Sequence, residues 1–156
     1  MNLAFDTENF IKKNITHRSE SLLEDDLKNY DDVLRQEIEG KSALIIGGGG
    51  TIGSSFIRAL LKYRPAKVVV VDISENYLTE LVRDCRSRAE LQVPDDFKTY
   101  PINYKDEVFY KIYNQEGAFD IVANFAAHKH VRSEKDVFSI EAMIENNVLN
   151  AKTLLD

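Results

Sequence analysis

The chain has 156 residues, 44% of them hydrophobic and 29% charged, with a net charge of −6 and a pI near 5.1. That length supports one domain with a real core, and the mixed, acidic charge argues against nucleic acid or an anionic membrane as the main partner, because both want a basic face. No apolar run approaches the roughly 20 residues of a membrane span; the start MNLAFDTENF lacks a signal peptide's basic start and apolar core, and the single cysteine, Cys85, can form no internal disulfide, so a cytoplasmic location is expected.

No internal repeat or low-complexity stretch is present, and the texture changes near Gly40. Residues 1–40 read as a helical N-terminal extension. A short helix is expected around Asp6 to Lys13, with Phe10 and Ile11 as its apolar residues. From Leu23 the apolar residues Leu23, Leu27, Tyr30, Leu34 and Ile38 recur at steps of three and four, which predicts one amphipathic helix. Ser21, three before Glu24, has capping-box spacing, and Gly40 is a suitable stop. Such a helix needs an apolar partner, either the main domain or a second subunit.

From Lys41 strands and helices alternate. Strands are predicted at Ser42 to Ile46, Lys67 to Val71, Phe97 to Ile102 and Asp120 to Phe125. The four valines of the second suit a strand buried on both faces. Helices follow each strand: one carrying Ile52, Phe56, Ile57, Leu60 and Leu61, then Glu75 to about Arg88, Asp106 to Gln115, and Ser139 to the end. This order predicts an α/β fold with a parallel sheet and right-handed crossovers. In a doubly wound fold the strand order is 3-2-1-4.

The segment LIIGGGGTIGSSF, residues 44 to 56, lies between a buried strand and an amphipathic helix. Gly47, Gly50 and Gly53 give G-x-x-G-x-x-G; Gly48, Gly50 and Gly53 give G-x-G-x-x-G. In that context glycines serve a tight turn and let backbone N–H groups approach a pyrophosphate at the positive end of a helix. The pattern is that of a Rossmann-type dinucleotide site. A phosphate loop of the nucleoside-triphosphatase kind is excluded, since Ser54 stands where that motif needs lysine. Asp72 closes the second strand nineteen residues after Gly53 and suits the hydroxyls of an adenosine ribose. It would repel a 2′-phosphate, and no arginine follows in Ile73, Ser74 or Glu75, so NAD is expected over NADP.

The stretch FDIVANFAAHKHVRSEKDVFSIEAMIENNVLNAKTLL, residues 119 to 155, resembles the extended short-chain dehydrogenase/reductases. More narrowly it is similar to the CapD-like polysaccharide-biosynthesis branch, through Ala126, Ala127, His128, Lys129, His130 and Val131, and then Glu141, Ala142, Asn147 and Val148. With the glycine motif the resemblance covers residues 41 to 156. It implies that Gly47, Gly50 and Gly53, with Thr51 and Ile52, line the pyrophosphate, and that Asp72, with Ile73 beside it, holds the ribose. Asn103 stands where members carry an acid that meets adenine, with Tyr104 after it; an asparagine carbonyl can still accept from the adenine amino group. Ala126 and Ala127 would border the cofactor ribose, Asn147 would support the fourth strand's backbone, and Lys129 would point toward the active-site mouth. Ile46 and Arg132 depart from the threonine and proline usual in the branch.

The resemblance further implies a nucleotide-sugar 4,6-dehydratase or epimerase, typically acting on UDP-N-acetylglucosamine, in which NAD takes hydride from C4 of the sugar and returns it. Members carry their catalytic S-T-D-K-type motif and Y-x-x-x-K on and after a fifth strand. Tyr63 to Lys67 has the latter spacing, but it lies between the first sheet helix and the second strand, away from any nicotinamide. No catalytic residue is therefore expected in this chain, which is read as a cofactor-binding half-domain, inactive alone and homo-oligomeric. Its final helix ends in an apolar run without a stop, as expected of a truncated chain. A non-catalytic dinucleotide-binding or redox-sensing module acting through a partner would share every feature up to Asn147.

His128 and His130 share a face of an extended segment, but only Glu134 and Asp136 lie near as further ligands, so no metal is expected. Cys85 falls on an apolar helix face, and Arg83, Arg86 and Arg88, interrupted by Asp84, read as a solvated face.

Overall fold

The structure is a computed structural model and describes residues 6–18, 20, 22–129 and 136–154. The chain divides into two compact units, Met1–Gln36 and Glu37–Asp156.

In the first unit, α1 (Thr7–Ile11) starts where the Asp6 carboxylate accepts the Asn9 N–H at 2.9 Å. It runs into a π-helical turn, Lys12–Thr16, that ends at His17 in the left-handed region. The helix expected from Leu23 to Ile38 is broken at Tyr30 into α2 (Glu24–Asn29) and α3 (Asp31–Ile38). Three acidic residues, Glu24, Asp25 and Asp26, occupy the first turn of α2, where they favour the helix dipole. Ser21 lies outside the described residues, and Leu23, at the N-cap, offers no side-chain cap. Apolar spacing alone did not reveal the break: Leu23, Leu27 and Tyr30 are exposed, so among the described residues they bury no shared apolar face that would hold the two pieces in one register.

The second unit is a four-stranded parallel sheet in the order β3-β2-β1-β4, as expected of the Rossmann type. The strands are β1 (Ser42–Ile46), β2 (Lys67–Asp72), β3 (Asp96–Pro101) and β4 (Ile121–Asn124). The helices are α4 (Thr51–Leu61), α5 (Glu75–Ser87), α6 (Glu107–Glu116), α7 (Val137–Ile144) and α8 (Asn150–Thr153), with a π-helical turn, Glu145–Leu149, joining the last two.

Alternation of side chains along the two central strands builds both cores. Ala43, Ile45, Val68 and Val70 pack with Ile57, Leu60 and Leu61 of α4 and Leu78, Leu81 and Cys85 of α5. Leu44, Ile46, Val69 and Val71 face the other way, onto Tyr104 and Phe109. Each fully buried valine or leucine here contributes about 1.5–3 kcal/mol of burial, so a charge at Val70 would undo the sheet locally. The outer strands are half-exposed; Val122 of β4 is open to solvent.

Glu116, at the end of α6, ties the sheet's far side together. Its carboxylate meets Lys67 Nζ at 2.7 Å and Lys98 Nζ at 3.0 Å, and accepts the Tyr100 hydroxyl at 3.0 Å. Lys67 also lies over the Phe119 ring. The Lys67 hydrogen bond, with Lys98 and Tyr100 adding to it, holds the Glu116 carboxyl at a pKa of about 2. Arg83 pairs with Glu80 and Arg88 with Asp84, and both stand exposed on the outer side of α5.

Candidate functional site

A cleft of about 290 Å³ opens where the strands end. Residues just past their C-terminal ends line it: Gly47 and Gly50 after β1, Asp72 and Ile73 at β2, Ile102 to Tyr104 after β3, and Phe125 to His128 after β4. This is the place at which open α/β sheets hold ligands.

Gly47 has φ +74°, and a Cβ there would lie 2.5 Å from Ala126 N and 2.7 Å from Phe125 C. Glycine is thus required by the turn and by the approach of the strand beyond. Gly53 is buried in the first turn of α4, where a Cβ would strike the Gly47 carbonyl. Gly50 differs. It caps α4 in ordinary extended backbone, and a Cβ there would meet only Gly47 O, at 3.5 Å. Nothing in the fold asks for glycine at this cleft-lining position. The α4 N-terminus has neither a side-chain cap nor an acidic residue in its first turn, whereas Ser74 caps α5 and Asp136 caps α7. The orphan N–H groups of α4 therefore keep a positive end without a side-chain acceptor.

Asp72 is fastened by both oxygens. Oδ2 accepts the Gly49 N–H at 2.9 Å and Oδ1 accepts the Ser74 N–H at 2.9 Å. The carboxylate latches the glycine loop to the end of β2, a task that spacing did not reveal. Ser74 in turn accepts the Tyr77 N–H, placing Tyr77 at the rim.

The far wall is set by amides. Asn147 brackets one residue: its Oδ1 accepts the His128 N–H at 2.8 Å and its Nδ2 donates to the His128 carbonyl at 3.0 Å. Asn124 Oδ1 accepts the Ala126 N–H at 3.0 Å. Together they pin residues 126–128 after β4 ends. Tyr104, buried, donates to the Asn146 carbonyl at 2.9 Å and so joins the end of β3 to the π-helical turn. Burial pushes its phenol up, while the Asn124 side chain beside it works the other way.

Of the residues singled out from sequence, Gly47, Gly50, Asp72, Ile73, Asn103, Tyr104, Ala126 and Ala127 come together at the cleft. Thr51 and Ile52 are exposed on the first turn of α4, Gly53 packs beneath the loop, Asn147 stands behind the wall, and Lys129 is exposed; none of these five lines the cleft. Ile46, Val71, Ser74, Tyr77, Ile102, Phe125, His128 and Asn146 line it and were not singled out for the cofactor. Most follow from the rule that strand ends hold the ligand. Tyr77 and Asn146 depend on helix placement, for which sequence carried no signal. His130 and Glu134 lie outside the described residues, and among the described residues no cluster of three metal-binding side chains occurs.

Sheet order, glycine loop and the cleft at the strand ends define a Rossmann-type α/β domain. More narrowly, the chain belongs to the polysaccharide biosynthesis protein family, whose model matches residues 43–156. It is 24% identical over 123 residues to the probable polysaccharide biosynthesis protein EpsC of Bacillus subtilis, covering 79% of this chain and 20% of that one. Its fold is shared with the epimerase Mth375 of Methanothermobacter thermautotrophicus (TM-score 0.59, 21% identity, 83% of this chain and 34% of that one). It is shared also with the Bordetella bronchiseptica enzyme WbmF, solved with NAD+ and UDP (TM-score 0.51, 22% identity, 76% and 32%). The chain therefore spans about a fifth of EpsC and a third of these two solved chains.

Proposed function

We propose that this chain is the NAD-binding portion of a nucleotide-sugar 4,6-dehydratase or epimerase of polysaccharide biosynthesis, acting in the complete protein on a UDP-N-acetylglucosamine-type substrate. Gly50 carries the reading: a glycine that the fold does not need, set in the cleft beside an uncapped helix terminus, is the mark of a ligand that approaches the backbone closely. Membership of the polysaccharide biosynthesis family supports the pathway, and the NAD+ and UDP of WbmF support the cofactor and substrate class.

In this reading the backbone of Gly47 and Gly50 and the first turn of α4 (Thr51, Ile52, Gly53) receive the pyrophosphate. Asp72 and Ile73 hold the adenosine ribose, Asn103 and Tyr104 meet the base, and Ala126 and Ala127 give room to the second ribose. Asn147 holds that wall in place, and Lys129 stands toward the mouth. When bound, NAD supplies reversible hydride transfer to and from the sugar. The residues of this chain bind and orient it; the acid–base groups belong to the remainder of the protein.

The test substitutes Gly50 by alanine. NAD+ affinity is expected to fall by more than about tenfold while thermal stability changes by less than about 1 kcal/mol, the range for a cap position. Unchanged affinity would remove the observation on which the reading rests. The purified chain, given NAD+ and UDP-N-acetylglucosamine, is expected to convert none of the sugar; product detected by mass spectrometry would overturn the assignment of catalysis to the remainder of the protein.

A further inference from the structure

We propose that the first compact unit pairs two copies of this chain: the basic, apolar segment 9–18 of one copy lies along the acidic, apolar side of α2 and α3 of the other. Residues 9–18, NFIKKNITHR, hold Lys12, Lys13 and Arg18 and no acidic residue. They form the end of α1 and the π-helical turn, where Phe10, Ile11 and Ile15 are exposed. At helical spacing these three fall on one side, with Lys12 and Lys13 at its borders. The sequence from Glu20 to Gln36 has the opposite sign: Glu20, Glu24, Asp25, Asp26, Asp31 and Asp32 stand against Lys28 and Arg35. Both cations are already paired within their own helices, Lys28 with Glu24 at 3.6 Å and Arg35 with Asp31 at 2.8 Å. Asp25, Asp26 and Asp32 make no ion pair among the described residues. Beside them Leu23, Leu27, Tyr30 and Val33 are exposed.

Complementarity of charge singles out a second copy as the occupant. Cations border one apolar side and carboxylates the other, so the two match each other. Only a short connection, from His17 to Leu23, joins them, yet both apolar sides stand exposed in the single chain. A twofold axis makes the contact twice, each copy giving its basic segment and receiving its partner's. Apolar burial then supplies affinity, and the charges select the pairing. An anionic membrane surface would also attract the basic segment, but it would repel the carboxylates of the same unit. No residue of the cleft takes part, so the pairing stands apart from the cofactor reading.

The test mixes equal amounts of unlabelled and heavy-nitrogen-labelled 156-residue chain and adds a carbodiimide, which joins a lysine amine to a carboxylate in contact with it. Mass spectrometry is expected to find Lys12 or Lys13 joined to a carboxylate of α2 or α3 in mixed-isotope pairs, with a yield that falls as salt is raised. Dissociation constants are then read by sedimentation, with Phe138→Glu in every chain so that the α7 face adds nothing. Lys13→Glu with Arg18→Glu, and separately Asp26→Lys with Asp32→Lys, are each expected to weaken pairing by at least about tenfold, and mixing the two variants to restore it. Asp26→Asn with Asp32→Asn is expected to weaken pairing as well, and it places no cation at a helix N-terminus, which keeps the test open if the lysine variant loses helix. Cross-links confined to single-isotope pairs would mean that one chain closes on itself. Absence of cross-links, with binding to phosphatidylserine vesicles or without it, would remove the second copy as the occupant. Each of these outcomes overturns the proposal, as does pairing that the charge reversals leave unchanged or that the mixture fails to restore.

Discussion

Gly47 and Gly50 stand three residues apart in one loop and answer to different demands. Gly47 is held at positive φ against the backbone of Phe125 and Ala126, so Gly47→Ala is expected to cost about 2–4 kcal/mol in chemical denaturation. Gly50 has room for a methyl group, so its substitution is expected to spare stability and, in the proposed reading, to weaken ligand binding. Asp72 holds the loop by both oxygens and, as proposed, also meets the ribose. Asp72→Asn keeps one oxygen but must turn an NH2 toward either the Gly49 or the Ser74 N–H. The expected result is a loss of about 1–3 kcal/mol of stability together with weaker NAD+ binding, read by thermal melts and titration of one sample. Reduced binding without reduced stability would mean that the latch is dispensable. The glycine pattern and the aspartate were legible because their spacing along the chain is itself the geometry of a strand–turn–helix. The latch was not, because it depends on where Gly49 N–H points once the loop is closed.

At the scale of elements, two clusters of long-range contacts hold the sheet's two ends. Around Glu116 the carboxyl pKa falls from its usual value to about 2. A depressed folded-state pKa contributes stability that is present above the unfolded value near 4.5 and is lost as pH falls toward 2. Glu116→Gln is therefore expected to cost on the order of 2 kcal/mol at pH 7, discounted for the exposed Lys98, and to flatten the fall in stability between about pH 4.5 and 2. A variant with the wild-type acid profile would contradict this. At the other end, Asn147 brackets His128, and Asn147→Ala is expected to cost about 1–3 kcal/mol and to weaken NAD+ binding through the loosened wall. Strand and helix order was legible from periodicity, with boundaries shifted by one or two residues. The break at Tyr30 was not legible, since a spacing of three and four is equally satisfied by two short helices. Glu116 gave no signal either: its partners Lys67 and Lys98 come from other elements, and only the parallel register of β2 with β3 brings them together.

For the molecule as a whole, the sheet order places the cleft and leaves an open flank. β4 pairs with β1 alone among the described strands, and Val137, Phe138, Ile140, Ile144, Val148 and Leu149 of the helix after it are exposed. Exposed apolar side chains in this number favour association, so light scattering is expected to show dimers or larger species, with Phe138→Glu shifting them toward monomer. A wild-type monomer at high concentration would contradict this. The fold was legible because a buried strand, a glycine turn and an amphipathic helix repeated in order leave few topologies open. As proposed, the cleft holds a nicotinamide dinucleotide without a 2′-phosphate. Calorimetric titration of the purified chain with NAD+ and, separately, NADP+ tests it most directly. Saturable NAD+ binding is expected, with NADP+ binding weaker by at least about tenfold, because in the proposed mode the Asp72 carboxylate faces the added phosphate. Binding of neither dinucleotide, or tighter binding of NADP+, would contradict it.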